Sequence, residues 1–385
     1  MIIKKALDKQ PDILYYGIIG SASSHSIIFC YLHGRASIHR GLFMKPTIYD
    51  VARKAGVGIG TVSRVINSSP QISEKTKTRV LQVIRELNYQ PHAMARGLAR
   101  NRTHMVAIIL PTFTGYFFIE LLRGIQQVIT RHQYDIVLYN VDDPKRIDVF
   151  LKRTLRERRV DGVLLVSMSI SKAYREKYQH ARFPIVLVDN FHEELDSIYV
   201  ENEEGAYLAT SHLIKQGHTR VGMIDAQLQS RPAKIRLQGY KKALRDHHLP
   251  FYEKYLVISD SDTDKDGFNR QAGYEAMKQI LMLKNPPTAV FISSDVQAAG
   301  AIRALQEADL KIPDDMAIVG FDDIELAQYL GLTTIHQPLY EMGRLAAQRL
   351  IDRINQGQLD RLDKRFSTHL VIRDSCGAKA GSAGS

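Results

Sequence analysis

Thr47-Ile48-Tyr49-Asp50-Val51-Ala52-Arg53-Lys54-Ala55-Gly56-Val57-Gly58-Ile59-Gly60-Thr61-Val62-Ser63-Arg64-Val65-Ile66-Asn67 is the stretch whose reading decides the architecture. Ile48, Val51, Ala52 and Ala55 fall at i, i+3, i+4 and i+7, which predicts a short helix with one apolar face. Pro46 fixes φ near its start, and Gly56-Val57-Gly58 breaks it. Ile59 to Ile66 predicts a second short helix with Val62, Val65 and Ile66 turned inward, ended by Asn67-Ser68-Ser69-Pro70. Ser73, with Thr76 and Lys77, opens a third helix whose buried stripe is Val80, Val83, Ile84 and Leu87. Two short helices across a tight glycine-containing turn, closed by a third, form the helix-turn-helix plan. The spacing of Gly56, Gly58 and Gly60 imitates a dinucleotide-binding fingerprint. That motif must follow a strand, whereas the residues before Gly56 have helical spacing and the third glycine comes one place early.

Charge supports the same reading. Between Lys45 and His104 there are 11 basic and 3 acidic side chains, a net +8 out of +11 for all 385 residues. A dense basic module on a near-neutral body is an electrostatic footprint for a polyanion. In a helix-turn-helix the start of the second helix enters the major groove. Ile59, Gly60, Thr61, Ser63 and Arg64 are therefore the candidate DNA contacts. Arg64 can donate two bonds to guanine O6 and N7. Ile59 offers only apolar contact, Gly60 lets the backbone come close, and Thr61 and Ser63 suit phosphates.

The remaining composition is that of a globular protein of two or three domains, with 44% apolar and 24% charged residues. Cys30 and Cys376 are the only cysteines, which excludes a disulfide framework and fits a reducing compartment such as the cytoplasm. No apolar run reaches membrane-spanning length. Residues 1–43 differ from the rest. Met44 stands directly before the helical pattern, so residues 1–43 are read as an extension or a mis-called start. From Met105 onward apolar runs alternate with amphipathic stretches. The expected strands are Met105–Leu110, Tyr134–Asn140, Asp161–Val166, Pro184–Val188, Arg220–Ile224, Tyr255–Ile258, Thr288–Ile292 and Met316–Gly320. Such alternation predicts parallel sheets wrapped by helices, here in two lobes. Ligands of these folds bind beyond the carboxyl ends of strands. That directs attention to Asp189, Arg236, Ser294, Asp295 and Asp322 in a cleft between the lobes.

The headpiece motif, continuing through Val80 and Glu86-Leu87-Asn88-Tyr89-x-Pro91, resembles the lactose-repressor (LacI-type) family of bacterial regulators over nearly all of residues 44–373. Gly58 departs from the serine the family often has as a cap, a change costing a few tenths of a kcal/mol. The resemblance implies an α plus α/β fold: a helix-turn-helix headpiece (44–90), a hinge helix or linker (91–103) and a two-lobed, periplasmic-binding-protein-like effector domain (104–373). Lobe 1 would hold about 104–204 and 339–365, lobe 2 about 205–338 and 366–373, with a flexible tail over 374–385. It implies further DNA contacts at Thr47, Asn67, Tyr89 and His92, and a hinge in which Leu98 wedges a central base step while Arg96 and Arg100 meet phosphates. At about ten residues that hinge is too short to be helical alone in water. The resemblance also implies pocket residues Phe117, Phe118, Asp189, Arg236, Asp322 and Phe268, the last stacking on a ring. Ser294, with a shorter side chain, stands where the family often has asparagine, so the sugar identity of relatives does not carry over directly. The expected function is a homodimeric repressor on a pseudo-palindromic DNA operator, switched by a sugar or sugar phosphate, with no cofactor, metal, membrane or catalytic role. The alternative is a periplasmic sugar-binding protein exported through residues 1–43, and the +8 headpiece argues against it.

Overall fold

The computed structural model describes residues 46–66, 71–89, 102–112, 115–141, 146–157, 159–181, 183–259, 267–357 and 359–377. The chain divides after His92 into an N-terminal unit and a body.

The N-terminal unit contains α1 (Ile48–Ala55), α2 (Ile59–Ile66) and α3 (Glu74–Glu86). Its small core is Val51, Ala52, Ala55, Val62, Val65, Val80, Val83 and Tyr89. The backbone N–H and hydroxyl of Thr47 both donate to Asp50 Oδ2, at 2.9 and 2.7 Å, which anchors the start of α1. Gly56 ends α1 at φ +63°, a left-handed conformation that a side chain disfavours, and so makes the tight turn into α2. The hydroxyl of Ser73 caps α3 by accepting from the Thr76 N–H.

The body is built on two six-stranded sheets. In lobe 1, β1 (Met105–Leu110), β2 (Asp135–Asn140), β3 (Gly162–Val166), β4 (Ile185–Val188), β5 (Asp196–Val200) and β11 (Asp363–Phe366) run parallel in the order β11-β5-β4-β3-β1-β2. In lobe 2, β6 (Val221–Asp225), β7 (Leu256–Ile258), β8 (Ala289–Ile292), β9 (Ala317–Asp322), β10 (Thr334–His336) and β12 (His369–Val371) follow the order β12-β10-β9-β8-β6-β7, with only β12 antiparallel. Lobe 1 carries α4 (Tyr116–Arg131), α5 (Ile147–Glu157), α6 (Lys172–His180) and α12 (Leu339–Gln356). Lobe 2 carries α7 (Asn202–Lys215), α8 (Arg231–Asp246), α9 (Arg270–Leu281), α10 (Asp295–Glu307) and α11 (Glu325–Tyr329). Strands β3, β4 and β8 are buried along their whole length, as sheets covered on both faces require. The chain passes between the sheets after β5, β10 and β11, so three segments join the lobes.

The structure adds β5, β10, β11 and β12 to the expected strands. It also corrects the start of the tail. Asp374–Cys376 forms a 3-10 turn in which Ser375 and Cys376 are buried. The Ser375 hydroxyl donates to the Ile318 carbonyl at 2.7 Å and accepts from the Thr333 N–H at 2.9 Å, which stitches the segment to lobe 2. The fold therefore runs on through Gly377, because Ser375 finds backbone partners in the sheet. The expectations for residues 1–43, for residues 90–101 of the headpiece end and hinge, and for 378–385 lie outside the described residues.

Candidate functional site

Helix α2 presents the expected reading face. Ile59 is 41% exposed, Gly60 and Arg64 are exposed, and Thr61 and Ser63 are half-buried, while Val62 and Val65 point into the core. Among the described residues no ion pair involves Arg64, whereas Arg53, Lys54 and Lys77 are paired with Asp50, Glu86 and Glu74. A Cβ built on Gly60 meets nothing within 4 Å, so the fold gives no reason for glycine in the first turn of this helix. Tyr49 on α1, 66% exposed, is a second apolar surface residue that the sequence reading passed over. Thr47 is exposed, with its hydroxyl and N–H engaged by Asp50. Tyr89 corrects an expectation. It is buried in the headpiece core, because Asn88 at φ +48° turns the chain back and the Tyr89 N–H reaches the Ile84 carbonyl. Asn67, His92, Arg96 and Leu98 lie outside the described residues.

In the body the expected polar residues converge on Arg236, which α8 places in the interior of the cleft. Its Nε donates to Asn202 Oδ1 at 2.8 Å and its Nη1 to the Ser293 carbonyl, and Nη1 lies 3.6 Å from Asp322 Oδ1. The guanidinium lies 3.7 Å from the centroid of the Phe321 ring and 5.9 Å from that of Phe268. Asp322, at the end of β9, also accepts from Gln337 Nε2 at 2.6 Å. From lobe 1, Asp189 follows β4 at φ +55° and accepts from the Ser167 hydroxyl at 2.7 Å. Its Oδ1 is buried without a partner. Burial raises the pKa of Asp189 against that hydroxyl bond and the charges of Arg236 and Arg231. Burial pushes Asp322 up to about 7, opposed by Arg236 and Gln337 and reinforced by Asp189. Asp189 of lobe 1 and Asp322 of lobe 2 thus both interact electrostatically with Arg236 across the lobe junction. Outside this centre, the Arg231 guanidinium lies 5.8 Å from the rings of Phe191 and Tyr199, and that of Arg270 lies 5.9 Å from Tyr116. These three pairs join lobe 2 to lobe 1 at cation–π range. Gln337 also lines an open groove with Glu120, Asp323, Glu325 and His336, whereas Arg236, Asp189 and Asp225 are closed over.

Three expected pocket residues have other roles. Ser294 caps α10, its hydroxyl accepting from the Gln297 N–H at 3.2 Å. With the cap supplied, the Asp295 carboxylate turns inward, accepting from the Thr334 hydroxyl at 2.6 Å and the Ile324 N–H at 3.0 Å. It is wholly buried against Gly320, so it holds β9 and β10 together and does not face the cleft. Phe118 is buried in the lobe 1 core, edge-on to the half-buried Phe117 at 5.1 Å.

The sequence of residues 47–92 matches the model of bacterial regulatory proteins of the lacI family, and residues 210–376 match the periplasmic binding protein-like domain. The ribose operon repressor of Escherichia coli K12 is 39% identical over 335 residues, covering 86% of this chain and 99% of the relative. The chain belongs to the LacI family. Among solved structures, the lac repressor dimer bound to operator and the anti-inducer ONPF superposes with a TM-score of 0.72 at 26% identity, covering 86% of this chain and 99% of that one. A LacI-family regulator from Enterococcus faecium with bound ribose superposes with a TM-score of 0.63 at 28% identity, covering 70% and 98%. This LacI-family chain is a DNA-binding transcription regulator and not an enzyme. The headpiece match tells against the periplasmic sugar-binding alternative.

The same LacI-family body contains polar groups that the sequence reading missed. Asp225 ends β6, wholly buried, with Oδ1 accepting from the Ala226 N–H at 2.8 Å. Its Oδ2 is buried without a hydrogen-bond partner; the nearby Ser293 hydroxyl lies 2.9 Å from Gln297 Oε1. Burial pushes the Asp225 carboxyl up to about 7, against Ser293, the Ala226 N–H and Arg236. Gln337 Oε1 and Asn269 Nδ2 are likewise buried and unpaired. Asp225 directly follows the apolar run Val221–Ile224, the same signal that picks out Asp189. Asn202 and Gln337 act through contacts distant in sequence and had no such signal. Among the described residues no group of His, Cys, Asp or Glu is placed to hold a metal ion, and no helix is long and apolar enough to cross a membrane.

Proposed function

We propose that this regulator is a homodimeric repressor that binds a pseudo-palindromic operator and is switched by a sugar held in the cleft around Arg236. Arg64 reads a guanine, Ile59 packs on a thymine methyl, Gly60 brings the backbone close, and Thr61, Ser63 and Thr47 hold phosphates. Asn67 adds to the headpiece contact, and His92, Arg96 and Leu98 extend it through the hinge. Asp189 and Asp322 accept hydroxyls from the two lobes, Arg236 donates, and Phe268 and Phe117 cover the ring. The observation that carries this reading is the convergence of carboxylates from both lobes on one buried arginine, with acceptors left unpaired. A buried polar atom without a partner costs about 1–3 kcal/mol, which a hydroxyl of the ligand recovers. The ribose held by the Enterococcus faecium regulator supports a sugar of that size. The protein acts in the cytoplasm, on the nucleoid.

The body holds the end of the hinge firmly. Arg102 donates to Asn355 Oδ1 at 2.8 Å and to the Ile354 carbonyl at 3.0 Å, at the carboxyl end of α12. The N–H groups of Thr103 and His104 donate to Asp161 at 2.7 and 2.9 Å. A lobe movement is thereby passed to the hinge, and the sugar shifts DNA binding by its differential affinity for the two states. Genome-fragment selection on the purified chain, repeated at several salt concentrations, tests the reading. Recovery of a pseudo-palindrome whose log affinity falls steeply with log salt is expected. No enrichment with or without sugars present would contradict it.

A further inference from the structure

The unpaired atoms of the closed cleft are unequal in kind. Among the described residues, three are acceptors from three separate strand ends: Asp189 Oδ1 after β4, Asp225 Oδ2 at the end of β6 and Gln337 Oε1 after β10. One is a donor, Asn269 Nδ2, whose partner oxygen caps α9 through the Ala272 N–H. A ligand that satisfies this set must bring more hydrogen-bond donors than acceptors. Hydroxyl groups do so, because each carries a proton to give as well as lone pairs to offer. A phosphate ester brings an acceptor-only dianion.

The charges point the same way. Among the described residues of the body, Arg236 is the only basic side chain that is buried, and its Nε and Nη1 are already engaged by Asn202, Ser293 and Asp322. Around it stand the buried carboxyl groups of Asp189, Asp225 and Asp322, with Asp295 behind Asp322. Where phosphate is recognised, arginine forks, lysines or a helix N-terminus with free N–H groups supply the charge. Among the described residues the buried carboxyl groups outnumber the guanidinium; burial raises their pKa values, and each one that ionises adds a negative charge that a phosphate dianion would meet in a closed, poorly solvated site.

We infer that the cleft is selective for an unphosphorylated, hydroxyl-rich sugar, with Asp225 as the specificity-determining residue that accepts one hydroxyl and turns away the phosphate ester. This rests on the sugar reading given above and narrows it. Asp225 acts at close range, since its unpaired oxygen is wholly buried.

Isothermal titration calorimetry on the full chain with two matched pairs tests this: D-ribose against D-ribose 5-phosphate, and D-glucose against D-glucose 6-phosphate. The expected result is that a free sugar binds and its ester binds at least 100-fold more weakly. In Asp225→Asn the affinity for that sugar falls roughly 10- to 100-fold, the effect of losing a hydrogen bond to a charged group. The free-to-ester ratio narrows at the same time. The wild-type ratio needs no variant, so a folding defect in Asp225→Asn leaves the test standing. An ester that binds as tightly as its parent sugar, and loses that binding in Arg236→Ala, overturns the selectivity while leaving the cleft as the sugar site. Binding of neither member of either pair overturns the sugar reading and this inference with it.

Discussion

Replacing Asp225 by asparagine should stabilise the free protein at neutral and alkaline pH while weakening its ligand. The carboxyl is wholly buried, and burial pushes its pKa from 3.8 up to about 7. Between those values the folded state holds a proton that the unfolded chain has released. Stability therefore falls as pH rises from about 4 to 7 and is level above that. Roughly three pH units at 1.36 kcal/mol each make the loss about 4 kcal/mol, of which about 3 kcal/mol falls between pH 5 and 8. Asparagine keeps the oxygen that accepts from Ala226 and has no charge to desolvate. Urea unfolding of wild type and Asp225→Asn, followed by far-ultraviolet circular dichroism because the chain has no tryptophan, isolates this group. The other buried aspartates titrate in both proteins and cancel. The variant should gain on wild type by about 3 kcal/mol from pH 5 to pH 8. A difference that does not change with pH would refute the reasoning, since the carboxyl would then ionise in the folded protein at no cost. A residue that lowers stability in the resting state and is needed for the ligand follows the usual conflict between stability and function.

Three further outcomes are expected. Gly60→Ala should raise headpiece stability by about 1 kcal/mol, as alanine does in a helix with room for its Cβ, yet weaken operator binding at least tenfold; thermal melting and fluorescence anisotropy measure the two, and unchanged operator affinity would remove the close backbone approach. Arg64→Ala should cost about 1–3 kcal/mol on the operator and little on unrelated DNA, so that equal losses on both would make Arg64 a phosphate contact. Arg102→Ala should leave sugar affinity intact and reduce the change in operator affinity that sugar produces, since it frees the hinge from the end of α12; an unchanged response would place the coupling elsewhere.

Much of the fold is legible in the residues because its decisive features are local. The helical spacing of Ile48 to Ala55 and Ile59 to Ile66, and the apolar runs of the central parallel strands, each carry a periodicity that a short window contains. Three of the four added strands lack it. Asp363–Phe366 is charged and exposed at a sheet edge, His369–Val371 is a three-residue antiparallel edge, and Thr334–His336 is equally short. The pairing of β11 and β12 comes from the last two crossings between lobes, which no window of sequence contains. The site divides in the same way. Asp189, Asp225 and Asp322 all stand at strand ends, where a carboxylate after an apolar run is visible. Asp295 looks identical by that rule and points inward, because Ser294 has taken the capping role. Tyr89 reads as a polar aromatic at a helix end, but the left-handed Asn88 folds it into the core.

The central claim is that occupation of the cleft and occupation of the operator are coupled. The most direct test measures operator affinity with and without saturating free sugar, and sugar affinity with and without operator, on the same preparation. By linkage both ratios must be equal. The account predicts a common factor well away from one, lost in Arg236→Ala together with sugar binding while operator affinity persists. A sugar that binds in the cleft and leaves operator affinity unchanged would contradict it.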